Sequence, residues 1–505
     1  GRPLLACLDR AAKRMRLDVR DAVPAARAAE PQTRSMSLPR QANRSWWLEE
    51  ALAADPGEPC PPLHGYLAAD VVILGGGYVG MWAAWQLLQR RPGIDVAILE
   101  QDICGGGPSG RNGGFTYGLW DDIESIIELF GLERATDLCV KAAESVEELR
   151  AFAEDRGADI WFNRGGNMGV STSPAQDGAW DGMVDGVRAV GFPDQFVHLS
   201  PAQVQERCRS RLFRAGMLAP TQATIQPARL ARAIRAALLE AGVRIYEHSP
   251  VSRFGSGSPA VAETANGQIR AGSAVVAVNA WAAQWKRFKR TIMPRGTYIV
   301  LTQPAPDKLE AIGWTGGEGI YDFRTALRYL RTTNDGRIAF GAASARAGMG
   351  TGLGPRMRYD EGSVAALVRD LHRMFPEFRD VELDCAWGGP IDVTGLHLPF
   401  FGSMGAAGNV HYGLGFTGGG VGPSHLAGKI LSGLAAGDDD EFTRLPLVGI
   451  EPKRFPPEPL LSPGAAITQA AMVRKDEAED DGGHPNPLVD LIARMPRRLG
   501  YHLGP

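Results

Sequence analysis

The chain has 505 residues, of which 44% are hydrophobic and 22% charged, the composition of a globular protein of two or three domains rather than a disordered or fibrous one. Its 54 basic and 57 acidic residues leave a formal charge of −3, too weak a field to attract nucleic acid or an anionic membrane. Six cysteines without a CxxC pair and nine histidines without an HExxH argue against a disulfide framework, a zinc ribbon and a catalytic metal, and for a reduced, cytoplasmic setting.

Residues 1–35, rich in Ala and Arg, read as an N-terminal extension without chemistry; Asp9, Asp18, Asp21 and Glu30 speak against a transit peptide. A segment over 36–68 leads to a strand at 68–74, a Gly turn, a helix at 78–89 and a second strand at 96–99, the start of a βαβ unit. The apolar stretch 67–85 is broken by Asp70 and three consecutive Gly, so it spans no membrane and the protein is expected to be soluble. Helical spacing follows at 123–157 and 230–240, then short strands at 244–246, 251–254 and 274–278. Strand patterns dominate 298–340, and a last strand at 410–412 runs through a Gly-rich turn into a helix at 421–434. Residues 455–463 are Pro-rich, and the charge run 475–481 is expected to form a solvated helix face. Dinucleotide-binding elements thus recur at both ends of the chain. The simplest arrangement is a discontinuous cofactor domain (69–153, 216–285, 388–435) with an inserted domain (154–215, 286–387) and a C-terminal tail (436–505).

Three glycine clusters carry the chemistry. In Gly75-Gly76-Gly77-Tyr78-Val79-Gly80, between strand and helix, Gly75 permits the tight turn, Gly77 lets backbone approach a pyrophosphate, and Gly80 lets the helix pack on the sheet. The helix N-terminus presents N–H groups to phosphate, and Glu100, at the end of the next strand, is placed to accept from a ribose diol. The second cluster spans 105–114 and contains Arg111-Asn112; a NAD site needs no such loop, whereas a larger ring such as an isoalloxazine does. The third, over 413–421, opens a helix whose N-terminus would stabilise negative charge on a reduced flavin.

Together the GxGxxG with its acid, the loop Gly107-Pro108-Ser109-Gly110-Arg111-Asn112-Gly113-Gly114, the strand at 275–279 followed by Ala280-Trp281, and Gly415-Phe416-Thr417-Gly418-Gly419-Gly420-Val421 resemble the FAD-dependent oxidoreductases related to glycine oxidase, D-amino-acid oxidase and monomeric sarcosine oxidase. Within that group the likeness is greatest to γ-glutamylputrescine oxidase and aminophosphonate oxidoreductases, and it covers residues 45–435 and also the Pro-rich tail. The resemblance implies an α/β plus antiparallel-sheet fold: a Rossmann-like FAD domain of the glutathione-reductase type with an inserted antiparallel-sheet substrate domain facing the flavin. It places FAD against Gly75, Gly77, Tyr78, Val79, Gly80, Glu100, Gly107, Ser109, Gly110, Arg111, Asn112, Gly113, Gly114, Val251 through its backbone, Asn279, Ala280, Trp281, Gly415, Phe416, Thr417, Gly418, Gly419 and Gly420. The implied reaction is oxidation of an amine, amino acid or aminophosphonate by hydride transfer to flavin N5, imine hydrolysis, and reoxidation by O2 with H2O2 release or by another acceptor. Oxidation of a hydroxy acid, or flavin binding without turnover, stands as the alternative. The partners are then a small-molecule substrate and an electron acceptor, and no metal is implied.

The sequence departs from these relatives where they hold substrate. Amino-acid oxidases carry a basic side chain shortly after the Trp corresponding to Trp387, where this chain has Gly388-Gly389-Pro390; sarcosine oxidase has a Lys where Gly422 stands. A substrate chamber formed by Tyr329, Arg331 and Trp387 is expected instead, with Tyr329 and Arg331 on one strand face and Arg328 and Leu330 on the other. Cys385, two residues before Trp387, matches the spacing of the flavinylated Cys of sarcosine oxidase and is the candidate for a covalent link to FAD.

Overall fold

The computed structural model describes residues 38–343 and 352–501; the expected extension at 1–35 lies outside the described residues. The strand Gly65–Leu74 forms the centre of an eight-stranded sheet, parallel to Val96–Leu99 on one side and to Gly267–Val276 on the other. Arg244–Tyr246 extends the parallel order beyond Val96–Leu99, and Val410–Leu414 pairs in parallel with the end of Gly267–Val276. Residues 71–74 and 96–99 are uninterrupted apolar runs buried on both faces, as a parallel sheet covered by helices requires. The helices Tyr78–Arg90 and Pro423–Ala436, from opposite ends of the chain, pack against each other on one face, with Gly428 directly over Trp82. Segments from both ends of the chain thus meet in this one sheet and its helices.

The second sheet has nine strands and is antiparallel except for two parallel pairs, Arg40–Gln41 with Leu383–Val393 and Asn167–Val170 with Gly319–Asp322. Gly216–Ala219, grouped with the cofactor segment in the sequence, hydrogen-bonds in this sheet, and Leu383–Val393 runs unbroken through position 388. Alternation decides what each face carries. Tyr298, Val300, Ile320, Leu330 and Phe340 pack against Val364, Leu367, Val368 and Leu371 of the helix Glu361–Met374. Their neighbours in sequence, Thr297, Tyr321, Tyr329 and the residues in register with them on Leu383–Val393, are thereby turned toward the cofactor sheet.

The C-terminal charge run differs from expectation. It lies in the helix Leu461–Asp480, yet Asp476 is 1% exposed and Asp480 reaches Arg328 Nη2 at 2.6 Å, so these carboxylates are interior rather than solvated.

Candidate active site

The first turn leaves no room for side chains: a Cβ at Gly80 would stand 2.1 Å from Gly75 O, and one at Gly75 would stand 2.4 Å from Ala277 O. Helix and strand can approach this closely only through Gly, and that approach presents the N-terminus of Tyr78–Arg90 to a phosphate. Glu100 accepts from Gly76 N–H (2.8 Å) and Asp102 N–H (2.9 Å), which fixes its carboxylate at the strand end although burial pushes its pKa up. The second cluster is tied to the first by Ser109 Oγ, which accepts from Tyr78 N–H (2.8 Å). Asn112 closes the loop on itself: Nδ2 donates to Ser109 O (2.9 Å) and Oδ1 accepts from Gly114 N–H (2.7 Å). Arg111 donates through Nε to Gly106 O (2.9 Å) and through Nη1 to Gly388 O (3.3 Å), bridging the cofactor loop and the second sheet; burial lowers its pKa to about 10. The third turn rests on Asp392, fully buried, whose Oδ2 accepts from Gly415 N–H (2.6 Å); burial pushes its pKa up to about 7 against the pull of those backbone N–H groups.

These pieces converge. A cavity lies between the two sheets, lined by Tyr78 and Val79, by Pro108, Ser109, Arg111 and Asn112, by Asn279, and by Phe416, Gly418, Gly420 and Val421. Its opposite wall is Thr297, Gly389, Pro390 and Ile391 of the nine-stranded sheet. Of the other expected contacts, Gly75, Gly77, Gly80, Glu100, Gly107, Gly110, Gly113, Gly114, Gly415, Thr417 and Gly419 build the turns behind this lining, and Ala280 and Trp281 continue from Asn279. Val251 stands apart from the cavity; Ser249 N–H donates to Glu100 O (2.7 Å) and so brings its stretch beside the first turn.

Tyr329 and Trp387 fall on one rung of the sheet, joined through Gly341 and Ile299, next to the rung of Thr297 and Gly389, and Arg331 falls one rung further on; none of the three is in the cavity lining. Tyr329 faces the cofactor loop: Phe115 crosses its ring edge-on at 5.9 Å, and a Cβ at Gly113 would stand 2.9 Å from it. Trp387 is fully buried outside the cavity lining, with Nε1 donating to Arg111 O (2.9 Å), so it braces the loop from beneath. Arg331 is in register with Ala339, and Ala339 with Leu301, two rungs of the sheet away from Thr297 and Gly389. There it is 2% exposed, donates to Ile225 O and lies over the Trp47 ring at 5.4 Å; burial pulls its pKa down to about 9. Cys385 lies on that same rung, fully buried in the cluster of Trp47, Ile299 and Leu301 and outside the cavity lining, and burial pushes its thiol up to about 12.

What the sequence did not single out is a polar wall beside the third turn. A Cβ at Gly419 would stand 2.7 Å from the Tyr117 hydroxyl, which places that side chain against the cavity lining. Asp121 accepts from Gln222 Nε2 (2.6 Å) and, at 3.4 Å, from the Tyr321 hydroxyl. Burial, together with the neighbouring Asp122, pushes Asp121 up to about 7; burial does the same to Asp122, and no cation offsets either shift. In the sequence this acidic pair looks like ordinary charge at a helix start, since Ile123–Phe130 follows directly. Gly422 has no room for a lysine, because its Cβ would meet Tyr117 O at 2.2 Å.

The family model of FAD dependent oxidoreductases (DAO) matches residues 70–434, most of the chain and all three turns. The chain belongs to this family. This FAD-dependent oxidoreductase is 29% identical over 396 residues to γ-glutamylputrescine oxidoreductase of Escherichia coli, covering 78% of this chain and 89% of the relative. It is 30% identical over 408 residues to the probable oxidoreductase OrdL of Rhizobium meliloti, covering 79% and 90%. Among solved structures, glycine oxidase from Geobacillus kaustophilus superposes with a TM-score of 0.62 at 21% identity, over 76% of this chain and 98% of that one. L-proline dehydrogenase from P. horikoshii gives 0.62 at 20% identity, over 76% and 96%. The two-sheet FAD fold is thus the architecture of the protein, and among the described residues no helix is long and apolar enough to cross a membrane.

Proposed function

We propose that this flavoprotein oxidises an amine in the cavity between the two sheets. The observation that carries the reading is the cavity itself, with the cofactor turns on one wall and the small side chains at Gly389 and Pro390 on the other. When bound there, FAD would supply the hydride acceptor for oxidation of the substrate α-carbon to an imine, which water would hydrolyse, with O2 as the final acceptor, giving H2O2. The protein orients and excludes water. Helix Tyr78–Arg90 and the loop stitched by Asn112 would hold the dinucleotide, and Arg111 ties that loop to the substrate sheet. Arg331 and Trp387 act as supports beneath the loop rather than as substrate contacts, and the amine, bound neutral, needs no dedicated base. The reading takes FAD as held without a covalent bond, and the burial of Cys385 outside the cavity lining supports this.

The names of the relatives support the amine class: one oxidises γ-glutamylputrescine, another glycine. The test is anaerobic mixing of the FAD-loaded protein with amines, polyamines, amino acids, aminophosphonates and α-hydroxy acids. Bleaching of the visible flavin band by an amine is expected, with H2O2 formed on admitting O2; bleaching by hydroxy acids alone would overturn the reading.

A further inference from the structure

The family match ends at 434, yet the substrate sheet takes buried partners from far beyond it. The hairpin formed by Gly319–Asp322 and Arg328–Thr332 carries Tyr321 and Tyr329 in register on the face toward the cofactor sheet. Its turn, residues 323–327, is closed from outside: Asp476 Oδ1 accepts from Thr325 N–H (3.1 Å) and Oδ2 from Ala326 N–H (3.0 Å). Arg324 lies 3.8 Å from the same carboxylate, and Arg328, with a side chain 2% exposed, reaches Asp480 at 2.6 Å and Asp370 at 2.9 Å. Burial lowers the Arg295 pKa and the Asp476 carboxylate opposes that fall; Arg295 is the residue in register with the cavity-lining Ile391.

The helix Leu461–Asp480 docks in an unusual way. Besides Leu461 and Ala471 it buries Gln469, Asp476 and Glu479, while leaving Ile467 40% exposed. Apolar burial alone does not account for this docking, since taking carboxylates out of water can cost more than their pairing returns. Buried ionic contacts of this kind fix one geometry among several that are similar in energy.

We propose that the helix Leu461–Asp480 is a specificity element of the substrate chamber, with Asp476 as the positioning residue that holds the Tyr321–Tyr329 hairpin in place. The proposal rests on the chamber assigned above. Asp476 touches no reacting atom; it acts through the turn, and through the turn on how far the two tyrosines and Arg295 stand from a bound amine.

The test uses FAD-loaded wild type, Asp476→Ala, Asp476→Asn and, as an exposed control on the same tail, Arg494→Ala. Hydrogen exchange is measured without substrate, and the reduction kinetics are measured with straight-chain primary amines from methylamine to hexylamine. For Asp476→Ala, exchange at 323–329 should quicken at least tenfold while 65–99 is unchanged. The ratio of kcat/KM between the best and the poorest amine should shrink at least tenfold, through KM, with the limiting reduction rate within threefold of wild type. Asp476→Asn, which keeps one acceptor, should fall between, and Arg494→Ala should match wild type. Unchanged exchange, exchange quickened everywhere, or an equal loss for all amines would overturn the proposal. Should Asp476→Ala lose FAD, Asp476→Asn decides by the same criteria. If no amine reduces the wild-type flavin, the amine reading falls, and the exchange result alone decides for or against the helix.

Discussion

The two walls of the cavity are made of different materials. On the cofactor side, three turns present backbone, held by contacts within a few residues or between adjacent turns, such as Asn112 to Gly114 N–H and Ser109 to Tyr78 N–H. On the substrate side the wall is made of side chains selected by register across a nine-stranded sheet, and its support comes from 476 and 480. The first wall is a local property of sequence. The second exists only once distant strands have been aligned.

The comparison can be broken most decisively at its tightest point. Gly80→Val puts side-chain atoms into the Gly75 carbonyl, and the cofactor wall should fail outright: FAD affinity is expected to fall at least ~100-fold, about 3 kcal/mol, read by titrating apo-protein with FAD. Gly389→Leu should do the reverse, leaving FAD bound while the anaerobic reduction rate with any productive amine drops at least ~100-fold, because the side chain fills the opposite wall. Ser109→Ala removes one acceptor from the Tyr78 N–H and should weaken FAD by about 1 kcal/mol, roughly fivefold.

The acidic wall offers a pH test. The Asp122 carboxyl ordinarily titrates at 3.8 and is raised to about 7 in the fold, so its stabilising contribution is complete below the lower value and is lost as pH rises through the upper one. Asp122→Asn should therefore gain on the wild type in thermal unfolding between pH 4 and 7, by at most about 4 kcal/mol, and the gap should be level above that window. The smallest effect is expected at Cys385: Cys385→Ser should leave all FAD released by acid denaturation, as in wild type, and retention of flavin mass on the wild-type chain alone would refute the enclosed-thiol reading.

What could be read from the chain follows this division. The βαβ start, the Gly107–Gly114 loop and the turn after 414 were legible because each is a short motif whose glycines answer a local steric demand. The alternation along 328–332 correctly separated Tyr329 and Arg331 from Arg328 and Leu330, but it could not say which rung of the sheet lies level with the cavity. Arg331 and Cys385 fall two rungs below the cavity, and Thr297 and Ile391, which no motif marks, fall on it. Asp121 and Asp122 look like helix-start charges until Gln222 and Tyr321 arrive from other strands. The charge run at 475–481 reads as solvated because its one local pair, Lys475 with Glu479, suits an exposed helix face, while the partners of Asp476 and Asp480, Arg324 and Arg328, are some 150 residues away.

The sequence by itself determined the cofactor family, because the tight turns of this FAD fold are written in runs of glycine that answer local steric demands. Only the tertiary structure decided the substrate wall, because there the selecting variable is the strand register across a sheet, set by packing over the whole domain and by a C-terminal helix whose carboxylates find their cations only when the chain is folded.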